Sequence, residues 1–385
     1  MKALYDHLGV WEWPFSIVPR PEHCTFIAGR PKLRHEIDSL LDALSRRDTS
    51  SIHVLWSWYG AGKTHSLYYL SNQALSRLNR PVRLIPVYTE FPKGARGFID
   101  LYRAFMASFD TNLLLEAFLE FTTTSEGDRF YDKLRIQEPD FAAALRLLAM
   151  GDGLKQTIAQ RWLRGDQLVA SDLRPVGITQ RISNTQQATR VMSQSIKLLS
   201  DAAAVQNYHS SRLVWLIDEF QRAEKAGAAT LSDTNAGLHS LFNAAPVGFT
   251  PIISFSGSPA AQNLPDWFSP ELRDRIGTTR VLVLPPLQPD EAIQFVKDIL
   301  DHYRLHDGNH RSAFFPFNAD ASKAIVDYVG SKDELRPRAI MNAFNAVLEA
   351  ADPQMEDGKM HLIEPAFAAK VLADYVNVAT SPEGE

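Results

Sequence analysis

The 385 residues predict an α/β fold: a parallel sheet flanked by helices, interrupted by a long helical insertion and followed by an all-helical C-terminal domain. Three observations point there. Residues 51–91 read strand, helix, strand at the spacing of a crossover unit. Two further apolar strands, 212–220 and 249–257, return only after a long helical stretch. Beyond residue 288 the apolar positions follow helical spacing alone.

Taken in order, residues 1–30 are rich in Pro and Trp and read as an irregular arm. In "RPKLRHEIDSLLDALSRRD" (30–48), Leu33, Ile37, Leu40, Leu41 and Leu44 recur at helical spacing, and Pro31 suits a first turn. "SIHVLWSW" (51–58) is a buried strand, "GKTHSLYYLSNQALSRL" (62–78) a helix and "PVRLIPVYTEF" (81–91) a second strand. From about 97 to 206 the patterns are mostly helical. "RLVWLIDEF" (212–220), "FTPIISFSG" (249–257) and "TTRVLVLPPL" (278–287) supply the remaining strands, with a helix at "NAGLHSLFNAA" between the first two. Trp56 and Trp58 are expected to pack against the sheet.

Composition excludes several classes. Net charge is −5, so no global basic field points to nucleic acid or an acidic membrane. The single cysteine, Cys24, forms no internal disulfide and no cysteine metal cluster, which fits a reducing cytoplasm. No apolar run approaches a membrane span, and the first residues do not read as a signal peptide. The eleven histidines show no metal spacing.

"SWYGAGKT" (57–64) lies between the first strand and its helix. A loop leaving a parallel strand for a helix turns backbone N–H groups toward an anion, and the helix N-terminus adds partial positive charge. Gly60 and Gly62 permit close approach, Lys63 can reach outer phosphates and the Thr64 hydroxyl can ligate Mg²⁺. Tyr59, Gly60, Ala61, Gly62, Lys63, Thr64 and His65 are therefore candidate nucleotide contacts. Ser57 stands where G-x-x-x-x-G-K-[ST] has its first glycine; no phosphate ligand is lost by this. His65, directly after Thr64, reads as helix packing or an indirect hydrogen bond ahead of a ligand. Asp218-Glu219 close five apolar residues at the end of a strand. Asp218 suits Mg²⁺ binding, and Glu219 suits deprotonation of an attacking water.

With the loop and the acid pair together, the chain resembles an AAA+ P-loop ATPase. It is similar to the group holding origin-recognition/Cdc6-like initiators and the bacterial transposition and secretion ATPases of the TniB and ExeA kind. "FIAGRPKLRHEIDSLL" (26–41) resembles the box that packs beside adenine in that group, which implies Ile27, Ala28 and Gly29 near the base. "IISFSGSPAAQNL" (252–264) resembles the strand end that senses the γ-phosphate, with Ser258 the better match and Ser256 the alternative. "SPELRDRIGTTRVLVLPPL" (269–287) resembles the arginine-finger stretch, with Arg275 matching best and Arg273 close by. "DELRPRAIMNAF" (333–344) resembles the lid motif whose arginine reaches back to the nucleotide; Arg338 is the match, and Arg336, two residues away, is expected to point elsewhere. Implied boundaries are an arm over 1–30, an α/β nucleotide-binding domain over 31–287, a helical lid over 288–378 and a tail over 379–385.

The resemblance implies ATP and Mg²⁺ as cofactors, a homo-oligomer and a protein partner, with no membrane. The alternative is a slowly hydrolysing nucleotide-dependent switch or scaffold. Between Lys155 and Arg212, eight basic residues face three acids (Asp166, Asp172, Asp201). That segment reads either as a DNA phosphate contact or as a solvated helical face.

Overall fold

The computed structural model describes residues 4–77, 80–257, 264–306 and 312–379. Helix α1 (Pro31–Leu44) precedes β1 (His53–Ser57), α2 (Lys63–Ser76) and β2 (Val82–Glu90). The insertion comprises α3 (Phe98–Ser108), α4 (Asn112–Phe121), α5 (Ser125–Gln137), α6 (Pro139–Ala149), α7 (Gly153–Leu163), α8 (Ala170–Leu173) and α9 (Thr185–Ala202). Then come β3 (Ser210–Asp218), α10 (Gln221–Lys225), α11 (Ala228–Ala244), β4 (Phe249–Ser256), α12 (Pro270–Ile276) and β5 (Val281–Leu284). Helices α13 (Pro289–His302), α14 (Ala319–Lys332), α15 (Pro337–Glu356) and α16 (Pro365–Ala379) follow.

The strand order is β2-β3-β4-β1-β5. Pairing of β2 with β3, β3 with β4 and β4 with β1 is parallel, so these carboxyl ends share one edge of the sheet. In register, Glu90 lies opposite Asp218, Ile217 opposite Ile253 and Ser57 opposite Ser256. Strand β3 is buried along its whole length, as a central strand covered on both faces must be.

The described residues of Ile37–Ser57 and Leu70–Val283 form one compact unit, and those of Met1–Glu36, Trp58–Tyr69 and Leu284–Glu385 form another. In the sheet unit, Trp215 on β3 centres the core. Its ring meets Phe98, Phe105 and Phe249 at 6.3, 5.0 and 6.5 Å, and its indole donates to Thr89 Oγ1 at 3.1 Å. Phe98 and Phe105 belong to α3, so the insertion shares the core of the sheet. Helix α9 shows why: Ala188, Val191, Met192, Ser195, Leu199 and Ala202 make one buried stripe at helical spacing, packed on α4, α11 and β3. The side chain of Asn184 caps its start, accepting from Gln187 N at 2.9 Å.

In the helical unit the arm is core. Phe15 is fully buried between Phe317 and Phe344, with ring centres 6.0 and 5.2 Å away. Trp13 donates to Asn345 Oδ1 at 2.7 Å, and His7 meets Asp352 at 2.6 Å. Leu8 and Val10 join the same apolar cluster as Val296, Ile340 and Leu348. The arm carries almost no regular structure because its own residues supply too few apolar positions at any one period; α13–α16 supply the rest.

His53 opens β1 with its imidazole 3.1 Å from Ser51 Oγ. Burial first, and then the positive charges of Arg280 and Arg212, pull its pKa down to about 4. The unfolded chain takes up this proton near pH 6.5 and the folded one does not, so stability falls as pH drops from about 6.5 toward 4. We expect His53→Gln to flatten that slope by up to about 3 kcal/mol at pH 4, read from urea midpoints of both proteins across the range.

Candidate active site

Strand β1 stops at Ser57, and after five intervening residues α2 begins at Lys63. Gly60 and Gly62 hold φ of +80° and +95°, a left-handed backbone that side chains oppose. Every carbonyl of this loop within the helical unit has a donor. Trp58 O accepts from Lys63 Nζ at 3.0 Å, and Tyr59 O from Arg336 Nη1 at 3.3 Å. Gly60 O accepts from Arg338 N at 3.1 Å, and Ala61 O from Arg30 Nη1 at 2.9 Å. Gly62 O accepts from Ser66 N and Oγ at 2.9 and 3.0 Å. In a planar trans peptide the following N–H points opposite to the carbonyl. Tying all five carbonyls therefore fixes the direction of the N–H groups from Tyr59 to Lys63, the arrangement that makes an anion-binding concavity at a helix start.

Three arginines hold this loop, and the motifs alone identify one of them. Arg338 begins α15; its backbone binds Gly60, and its guanidinium carbon lies 4.5 Å over the centre of the Tyr59 ring. Arg336 does not point elsewhere: it reaches Tyr59 O and forms a two-point ion pair with Asp333 at 2.6 and 2.7 Å. The helical rule fails there because Arg336 precedes the helix, with extended backbone at φ −84° and ψ 139°. Arg30 is buried, donating to Ala61 O and Pro285 O. Burial lowers its pKa to about 10, against the opposing pull of Glu291. Its only signal was its place just before Pro31 in the quoted box.

Ile27 is half-buried, and Ala28 is buried in the core of the helical unit. Gly29 N donates to Asp298 Oδ2 at 2.7 Å, and a Cβ on Gly29 would stand 2.6 Å from Glu291 O. His65, next to Thr64, turns to the arm: Nε2 donates to Phe26 O at 2.8 Å, and Nδ1 lies 3.3 Å from Cys24 Sγ. Removal from water lowers the His65 pKa, opposed by the Phe26 hydrogen bond and helped by His302. Lys63 is buried and Thr64 half-buried. Trp56 is 4% exposed, as expected of a strand residue, whereas Trp58 is 38% exposed because it lies beyond the strand.

In the sheet unit, Asp218 ends β3 at 1% exposure. Tyr88 Oη donates to one of its oxygens at 3.1 Å, and Glu219 N to the other at 2.8 Å. Glu219 holds φ +58°, one of two non-glycine residues in the left-handed region among those described. Its carboxylate accepts from Gln221 Nε2 at 3.0 Å and meets Arg222 at 3.4 Å. Arg222 also pairs with Glu90 at 2.6 Å and donates to Phe91 O at 3.0 Å. Gln221 Oε1 accepts from Ser256 N at 2.9 Å, which links Glu219 to the end of β4. Tyr88, Gln221 and Arg222 were not singled out from sequence, although Gln221-Arg222 directly follow the acids and the aromatic Phe220. Ser258 lies outside the described residues. Arg275 is exposed on α12, donating to Asn243 Oδ1 at 3.2 Å, and Arg273 pairs with Asp266 at 2.9 Å.

No protein-family model matches the chain, and the curated proteins give no match. Among solved structures it is similar to the ORC1 protein of Aeropyrum pernix in complex with DNA, at 12% identity and TM-score 0.49, over 94% of this chain and 69% of that one. It is also similar to Cdc6p of Pyrobaculum aerophilum, at 12% identity and TM-score 0.48, over 93% and 72%. Domain III of the replication initiation protein DnaA of Thermotoga maritima gives 12% identity and TM-score 0.40, over 94% and 97%. The parallel sheet, the glycine loop leaving β1, the acids closing β3 and the helices after β5 are those the motifs implied. The fold is a parallel α/β sheet flanked by helices, in which β4 separates β1 from the acid-bearing β3. The TniB and ExeA part of the resemblance rests on sequence motifs alone.

Arg30 is a sharp test of the loop's anchoring. Arg30→Leu leaves two carbonyls, Ala61 O and Pro285 O, without their donor, and should cost about 2–4 kcal/mol in chemical denaturation. Arg30→Lys should recover only part, because one ammonium lacks the fork that spans two acceptors.

Proposed function

We propose that the chain is a Mg-dependent ATPase of the AAA+ class. It couples ATP binding and hydrolysis to assembly or remodelling of a partner, in a bacterial DNA transaction such as transposition, replication loading, or mobile-element or phage defence. The observation that carries the reading is the loop of Trp58–Gly62, whose five carbonyls are all bound to donors. In this reading its N–H groups and Lys63 hold phosphates. The Thr64 hydroxyl and the Asp218 carboxylate are hard oxygen donors of the type Mg²⁺ takes. Bound Mg²⁺ would neutralise charge on the phosphates. Glu219 takes the proton of the attacking water, and Arg338 donates to the nucleotide from α15. Arg275, exposed on α12, is the residue offered to a neighbouring subunit in a homo-oligomer.

The hold on Glu219 favours a second reading. A base tied to Gln221 and Arg222 hydrolyses slowly, as a nucleotide-dependent switch that recruits a protein effector would.

The DNA reading of 155–212 is supported less well. Lys155, Arg161, Arg190 and Lys197 pair with Asp152, Asp166, Glu138 and Asp201, and Arg212 is buried on Thr250 and the Thr49 carbonyl. Such locally paired charge is the mark of a solvated helical face. Among the described residues no helix is long and apolar enough to cross a membrane.

Steady-state turnover with Mg²⁺ and ATP separates the readings. Glu219→Gln should lose about 10²-fold or more in kcat while still binding ATP, and Lys63→Ala should lose binding. Arg275→Ala should lose turnover and regain part of it when mixed with Lys63→Ala subunits. Wild-type protein that binds ATP yet never turns it over would leave the switch; protein that binds no nucleoside triphosphate would end both readings.

A further inference from the structure

Tyr59 sits in the loop with 61% of its surface exposed, so burial does not explain where its ring lies. The guanidinium of Arg338 does. Its carbon stands 4.5 Å over the ring centre, inside the range of a cation–π contact. Backbone geometry draws the two residues together: Arg338 N binds Gly60 O at 3.1 Å, and a Cβ on Gly60 would stand 3.2 Å from Arg338 Cβ. Arg336 ties Tyr59 O on the other side, so the main chain that carries the ring is anchored.

The guanidinium itself is under-used. It presents five N–H donors and cannot lose its charge. Among the described residues the Tyr59 ring is the one partner its head group has, and the side chain is half-buried. An aromatic face attracts the cation without consuming those donors, because a ring is a weak acceptor. Arg336 contrasts with it: that guanidinium is committed to a carbonyl and a carboxylate. Of the two arginines flanking Pro337, one is therefore spent on structure and one is held in place with its hydrogen-bonding capacity intact.

We propose that Tyr59 is a positioning residue for Arg338: its ring face holds the guanidinium at the loop, donors free, so that the terminal phosphate of a nucleoside triphosphate meets a cation already in place. This rests on the reading of Trp58–Gly62 as a phosphate loop. The ring stays under the guanidinium after the phosphate arrives, since face contact and N–H donation use different parts of the group. The Tyr59 ring thereby favours a triphosphate over a diphosphate, with no bond of its own to either.

Equilibrium binding of fluorescent ATP and ADP analogues, with Mg²⁺, tests this in six proteins: wild type, Lys63→Ala, Tyr59→Leu, Tyr59→Phe, Arg338→Ala and the Tyr59→Leu/Arg338→Ala double variant. We expect Tyr59→Leu to weaken ATP about 3- to 10-fold and ADP by less than 2-fold. Tyr59→Phe, which keeps the ring face, should recover most of that loss. In the Arg338→Ala background Tyr59→Leu should have no further effect. A loss from Tyr59→Leu that is equal for ATP and ADP, that Phe fails to recover, or that adds fully to Arg338→Ala overturns the proposal. So does a Tyr59→Leu variant that binds like wild type while Lys63→Ala does not bind. Wild-type protein without affinity for either nucleotide overturns the phosphate-loop reading along with it.

Discussion

The constraint on which the site depends is the direction of five peptide groups. An unliganded glycine loop has every reason to collapse, since glycine loses the most freedom on ordering. Here each carbonyl from Trp58 to Gly62 has been given a donor from elsewhere in its own unit: a lysine, two guanidinium groups, a backbone N–H and the first turn of α2. Each such bond contributes about 1 kcal/mol net, too little singly to hold a loop. Together they offset the loop's entropy and set the orientation of its N–H groups before any anion is near. The donors come from distant stretches of chain, Arg30 in the arm and Arg336 and Arg338 at the start of α15, so the loop's geometry depends on the packing of the helical unit as a whole.

The acid end of β3 follows a different rule. Asp218 is buried and satisfied by a phenol and an amide, which keeps its position independent of solvent. Glu219 follows it in a left-handed backbone, a conformation that costs a non-glycine residue of the order of 1 kcal/mol or more. Such outliers persist where surroundings over-determine them, and Gln221, Arg222, Glu90 and the end of β4 do that here. The two carboxylates are neighbours in sequence with opposite environments: one is fixed, and the other is held by groups that can let go.

Much of the fold was legible because its signals are local. The strand, loop and helix of 53–76 announce themselves through apolar runs, two glycines and a helix-forming stretch, and the elements lie within a few residues of where periodicity puts them. The candidate residues tied to a motif stand where the motif puts them in the chain: Lys63 and Thr64 open α2, Asp218 closes β3 with Glu219 next to it, and Arg338 lies in the first turn of α15. What sequence did not reveal is non-local. That Phe15 completes a core with Phe317 and Phe344 requires residues some 300 apart to meet. That Arg30 and Arg336 hold carbonyls depends on where the chain turns, and Arg336 escaped a helical rule by standing one residue outside the helix. The insertion carried no motif, yet it is bound to the sheet through Phe98 and Phe105 on Trp215, contacts set by volume that no short pattern encodes.

The helical unit is discontinuous: the arm enters its core beside helices that lie on the far side of the whole sheet unit in sequence. Synthesis is vectorial, and a domain can fold as soon as its residues have left the ribosome. The sheet unit can therefore settle early, while Leu8, Val10 and Phe15 must travel unburied until α13–α16 have been made. For that interval the nascent chain carries these apolar side chains without their partners, and the length of the interval is set by translation speed.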